Sequence, residues 1–207
     1  FTVEPSIDIL INNAGLTVSN YQQTKDGHEL TWGTNHLGPF LLTDLLLPSL
    51  EKAPSGRVVI VASRGHAKSP AIDLATVDDS ENYNGRAAYY RSKLANIMHA
   101  RELSRRLHSK GPSTVTVNAL HPGVIATEIT RDFNAFFKFL VFLALPFCKS
   151  WKDGAQTSLY LALSKEVEGV SGQYFSDCAP KKPAPVAMDD LACKRLYDYS
   201  RKAVGLE

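Results

Sequence analysis

The sequence predicts an α/β fold built on a doubly wound parallel sheet, and three observations predict it. Short apolar runs rich in Val, Ile and Leu recur along the chain, stretches of a dozen or more residues with helical spacing lie between several of them, and each run ends in small or polar residues. Strands buried on both faces read as continuous apolar runs, and helices between them supply right-handed crossovers. Ligands bind such sheets outside the carboxyl ends of the strands, here Asn12 to Gly15, Ser63, and His121 to Gly123.

IDILINNAG (7–15) is the first such run, closed by Asn, Ala and Gly. A long, mostly helical stretch is expected from there to about Leu50. RVVIVAS (57–63) is a second buried strand, followed by a polar insertion from about Arg64 to Gly85. Helical periodicity holds from Arg86 to about His108, and STVTVNALHPG (113–123) is a third strand that runs into a Pro-Gly stop. After an aromatic-rich stretch, 133–147, helix-like DGAQTSLYLALSK precedes GQYFSD, a fourth strand. PKKPAP (180–185) is a solvated connection, and MDDLACKRLYDYSRKAVGL a last helix.

With 207 residues and 44% hydrophobic content, the chain can build one sizeable core. A net charge of +2, with no run of Lys or Arg longer than two, gives no nucleic-acid surface. Cys148, Cys178 and Cys193 are odd in number, lack CxxC spacing and have no His at ligand spacing. That argues against a disulfide framework and a metal site.

AAYYRSKLAN (87–96) poses the chemical question. Four residues apart on a helix, Tyr89 and Lys93 share a face, whereas Tyr90 heads an apolar stripe with Leu94, Ile97 and Met98 that should turn it toward the core. With eight tyrosines in the chain, roughly half of one such Tyr–Lys pair arises by chance, so the spacing alone decides nothing. Asn35 precedes Pro39, whose ring clashes with the carbonyl four residues back, so the helix should kink there and free an acceptor.

NNAG (12–15), Asn35 in TNHLGPFLLT, Ser63 in VVIVASRGHA, Tyr89-x-x-x-Lys93, and HPG with Thr127 occur in the order seen in short-chain dehydrogenases/reductases. The resemblance covers nearly the whole chain. NHLGPFLLTDLLLP, YYRSKLANIMHARELSRRL, GAQTSLYLAL and SGQYFSDC are most similar to the retinol dehydrogenase branch. It implies a Rossmann-like sheet. The family's TGxxxGxG phosphate loop is not in the sequence, so residues 1–207 are expected to form an incomplete single domain, the C-terminal part only, with the first three strands missing. On that expectation the strand at 7–13 is an exposed apolar edge, and the chain alone is inactive.

The resemblance also assigns roles. Tyr89 would exchange the proton, Lys93 would lower the Tyr89 pKa and bind the nicotinamide ribose, Ser63 would polarise the substrate oxygen, and Asn35 would hold a water of a proton relay. Asn12, Asn13, Ala14 and Gly15 would line the adenosine side of the cofactor. Pro122, Gly123, Val124 and Thr127 would fix the nicotinamide, with NADP(H) favoured over NAD(H). Bringing a phenol from a pKa of ~10 to ~7 takes about 4 kcal/mol, whereas an exposed pair supplies ~0.2–0.5 kcal/mol, so Lys93 must work from a desolvated site.

The substrate implied is a lipophilic alcohol or aldehyde, retinoid-like or another lipid carbonyl. FNAFFKFLVFLALPF (133–147) falls where the family places a lid, about 128–151, and is shorter than the ~20 apolar residues of a membrane span. It reads as a pocket cover, a core helix, or a membrane-surface contact. The location implied is the cytoplasmic side, with attachment to the endoplasmic reticulum or mitochondria through a further N-terminal segment. Two alternatives stay open: a nucleotide-sugar epimerase or dehydratase, which shares the Tyr and Lys, and a non-catalytic or truncated paralogue acting as a binding or scaffold protein.

Overall fold

The structure, a computed structural model, describes residues 5–109, 111–123 and 150–206. A five-stranded sheet carries the fold in the order β1 (Ile9–Asn12), β2 (Gly56–Val61), β3 (Val115–His121), β4 (Tyr174–Ser176) and β5 (Ala179–Lys181). The first four strands are mutually parallel and β5 returns antiparallel on β4. The expectation of a partial sheet, its first three strands missing, is overturned. A continuous sheet is present from Ile9, with every strand hydrogen-bonded to the next.

The strand that the sequence reading overlooked is β5, which lies partly in the PKKPAP segment taken for a loop. Asp177 and Cys178 both adopt left-handed backbone (φ 54° and 56°) between the paired residues Ser176 and Ala179. This is the backbone of a two-residue hairpin turn whose usual signature is Asn-Gly or Asp-Gly, and Cys178 in the second place hides it. Pro180 is tolerated because β5 closes that end of the sheet's strand order.

Helices cover both faces. On one side Leu10, Val58, Ile60, Val117 and Ala119 pack against α1 (Leu30–Trp32), α2 (Gly38–Leu50), α3 (Gly85–Ser109) and α5 (Asp190–Ala203). On the other, Val59, Val61, Leu120 and Phe175 meet Leu161 and Ala162 of α4 (Trp151–Leu163). That alternation along β2 is the period of two of a strand buried on both faces.

Helix formation begins later than expected, at Leu30 rather than just after Gly15. The fully buried Glu29 sets the start, its two carboxylate oxygens accepting the Thr31 and Trp32 N–H groups at 2.7 Å each. Between α1 and α2 the chain makes a π turn over Gly33–Leu37, with the Gly38 N–H bonded to the Gly33 carbonyl five residues back. Widening the helix in this way accommodates Pro39, so the expected kink takes the form of a π turn with Asn35 inside it. The stretch 133–147, the rest of the expected lid as far as residue 149, Val124 and Thr127 lie outside the described residues; Ser150 and Trp151, at the end of that span, cap and open α4.

Candidate active site

The four candidate catalytic side chains come from three elements that meet at the carboxyl edge of the sheet. Ser63 follows β2 and caps a 3-10 helix (Arg64–Lys68), where its Oγ accepts the Gly65 N–H at 3.1 Å. Tyr89 and Lys93 stand one turn apart on α3. Lys93 is 4% exposed, donates from Nζ to the Val61 carbonyl at 3.0 Å, and lies 5.8 Å from the Tyr89 ring centroid. Asn96, one turn further, reaches the same carbonyl at 3.3 Å, so the end of β2 and the middle of α3 are fastened together.

Asn35 is fully buried. Its Oδ1 accepts the Leu16 N–H at 2.8 Å, and its Nδ2 donates to the Leu16 carbonyl at 2.8 Å and to Ser92 Oγ at 3.0 Å. Ser92 in turn donates to the Tyr89 carbonyl at 2.8 Å. The π turn thereby holds the loop after β1 and the Tyr89 turn of α3 in one arrangement, which the sequence reading, looking for a water relay, did not foresee.

Gly15 fits the same junction by having no side chain. A Cβ there would come within 3.1 Å of Lys93 Nζ and 3.3 Å of Asn35 Oδ1. Asn13, Ala14 and Gly15 are exposed beside these groups, so the open backbone next to the Lys93 ammonium suits a cofactor. Asn12 points elsewhere. Its Nδ2 donates to Thr43 Oγ1 at 2.7 Å, and Thr43 donates to the Pro39 carbonyl at 2.7 Å, which ties β1 to α2. Pro122 and Gly123, the latter at φ 97°, leave β3 at the same edge.

The electrostatics differ from the expectation of a phenol brought near neutrality. Burial pushes Tyr89 above its ordinary value, and a hydrogen bond with the Ser63 side chain pulls it partly back. Burial lowers Lys93 to about 8. The ammonium is committed to a carbonyl and faces the ring of Tyr89, so desolvation outweighs charge at the phenol. Tyr90 is only half-buried rather than turned into the core: its ring lies against Gly65, with Lys68 Nζ 5.6 Å from its centroid. Leu94, Ile97 and Met98 do form core.

One neighbour of Ser63 escaped the sequence reading. His66, 4% exposed, contacts the Ser63 carbonyl through Nδ1 at 2.7 Å and receives the Ala184 N–H at Nε2, 3.1 Å. Its partner lies 118 residues away, and nothing local in RGHAK signals it. Among the described residues no group of His, Cys, Asp and Glu is arranged to hold a metal ion. No helix among them is long and apolar enough to cross a membrane.

Residues 3–137 match the sequence model of the family described as short chain dehydrogenase. Among curated proteins, human retinol dehydrogenase 14 is 45% identical over 208 residues, covering 98% of this chain and 60% of its own length. Human retinol dehydrogenase 13 is 42% identical, covering 99% and 62%. The chain thus spans about 60% of the length of these curated relatives. Of solved structures, an uncharacterized protein from Mycobacterium Paratuberculosis superposes with a TM-score of 0.77 at 31% identity, over 98% of this chain and 68% of that one. The NADPH-bound carbonyl reductase from chicken fatty liver shares the fold, with a TM-score of 0.59 at 22% identity over 86% and 66%.

Proposed function

Because the chain belongs to the short-chain dehydrogenase family, we propose that it serves hydride transfer between NADP(H) and a lipophilic alcohol or aldehyde of the retinoid-like class. The observation that carries the reading is the meeting of Tyr89, Ser63 and a buried Lys93 at the carboxyl edge of the sheet, beside the open backbone at Gly15.

The nicotinamide cofactor supplies or takes up the hydride when bound. Asn13, Ala14, Gly15, Lys93, Pro122 and Gly123 would hold it, with Tyr89, Val124 and Thr127 completing the set; Asn12 contributes by fixing α2. Tyr89 Oη gives its proton to the carbonyl oxygen in reduction and takes it from the alcohol in oxidation. A phenol kept protonated by burial is poised for the first direction. Ser63 holds the reacting oxygen against Tyr89. The Lys93 charge, close to the ring, lowers the cost of phenolate as the proton leaves. Asn35 keeps these turns in register and so orients without touching the reacting atoms.

The substrate class follows the resemblance to the retinol dehydrogenases and the apolar composition of 133–147. Full-length protein, assayed with all-trans-retinal and medium-chain aldehydes against NADPH and NADH, tests the reading. Reduction of these aldehydes, faster with NADPH at low cofactor concentration, is expected. Folded protein that turns over no carbonyl compound with either cofactor would overturn it and favour a binding or scaffold role.

A further inference from the structure

We propose that His66 is a positioning residue for Ser63, fixing the catalytic serine turn by donating from Nδ1 to the Ser63 carbonyl while Ala184 fixes its tautomer. The Ala184 backbone N–H can only donate, so Nε2, 3.1 Å away, must accept. The ring proton is therefore on Nδ1, which points at the Ser63 carbonyl at 2.7 Å. The same carbonyl receives the His66 backbone N–H at 3.1 Å, and the Gly65 N–H holds Ser63 Oγ at 3.1 Å. Carbonyl and hydroxyl of Ser63 are thus both gripped from within the 3-10 turn, and the imidazole anchors that turn to the segment beyond β5.

The surroundings support a neutral, oriented ring. His66 is 4% exposed and meets the edge of Tyr174 at a centroid distance of 5.0 Å. Burial lowers its pKa, which favours the uncharged form that can accept from Ala184. A protonated ring would set two N–H donors against one another at Ala184. The inference rests on the catalytic reading of Ser63.

Asparagine places an amide N–H near the Nδ1 position and glutamine places its polar atoms near Nε2, so the two separate the bonds. In full-length protein with NADPH and an aldehyde, His66→Asn is expected to keep kcat within about twofold. His66→Gln should lower it ~10-fold or more with KM little changed, the mark of an interaction that matters in the transition state. Amide exchange at Gly65, whose N–H holds Ser63 Oγ, should quicken in His66→Gln and not in His66→Asn, independently of turnover. His66→Ala replaces the glutamine variant if that one fails to fold.

Equal losses in the two variants, or no loss in either, would overturn the proposal. If the unsubstituted protein shows no turnover, the reading of Ser63 as catalytic fails, and Gly65 exchange alone decides the positioning role. Faster exchange only in the glutamine or alanine variant sustains it, and equal exchange removes it.

Discussion

At Lys93, burial and charge oppose one another. The ammonium is 4% exposed and its pKa is pulled down to about 8 by desolvation, so the folded chain holds a charge that the unfolded chain would hold more comfortably. The sign follows: the penalty is fully present below about pH 8 and fades as pH rises toward the unfolded value of 10.5. Lys93→Met, similar in length and without the charge, should therefore stabilise the chain by on the order of 1–3 kcal/mol at pH 7, after allowing ~1 kcal/mol for the lost bond to Val61. The gain should shrink between pH 8 and pH 10.5. Urea unfolding at pH 7 and at pH 10 measures both, and a variant less stable than the parent at pH 7 would refute the assignment. Turnover should be lost at the same time. The pairing of Tyr89 with Lys93 was legible from a four-residue spacing only in company with the other family motifs, and the direction of the Tyr89 shift was not legible at all. That depends on where Nζ spends its hydrogen bond, and the Val61 carbonyl lies 32 positions away.

The π turn is the element in which sequence and structure inform each other most. Pro39 announced a disturbance around Asn35, and the disturbance exists, but its use is to hold Leu16 and Ser92 rather than only to free a carbonyl. Asn35 uses both ends of its amide, accepting once and donating twice, in a fully buried place. Asn35→Asp would set carboxylate oxygens against the Leu16 carbonyl and Ser92 Oγ, an opposition that the nearby Lys93 ammonium offsets only in part, and should cost roughly 1–3 kcal/mol, the range for buried polar groups left without a partner. Thermal unfolding would show it as a fall in midpoint. An unchanged midpoint would mean that the side chain is not bound as described. Four strands and most helix spans were readable from period and composition. The late start at Leu30 and the return strand β5 were not, because one is set by a carboxylate cap at Glu29 and the other by a turn at Asp177 and Cys178 without the usual glycine.

Across the whole molecule, α1 to α3 and α5 enclose a core in which histidines stand among aromatic rings. His36 and His99 lie with their rings 6.1 Å apart, next to Trp32, Phe40 and Tyr197, and burial brings each to about 3. Both values lie below the ordinary 6.5, so the folded chain keeps them neutral while the unfolded chain protonates. Stability is complete above about pH 6.5 and is lost as pH falls toward 3, at about 1.4 kcal/mol per pH unit for each ring. By pH 4.5 the two together remove ~5 kcal/mol, comparable with the total stability of many domains. Acid unfolding followed by circular dichroism should set in between roughly pH 5 and pH 4, and His99→Phe should move it lower. An unshifted acid midpoint would show that His99 does not drive it. Nothing in the sequence marks these histidines out, since only the enclosure of α3 by α1, α2 and α5 reveals how dry they are.

The family constellation was legible because its members keep their order along the chain, while the network joining them became visible only in three dimensions. The account depends above all on Tyr89 as the group that exchanges the proton. Steady-state turnover of an aldehyde by full-length protein carrying Tyr89→Phe tests this directly. The account predicts a fall in kcat of at least ~100-fold with binding of cofactor and substrate retained; turnover at the parent rate would contradict it.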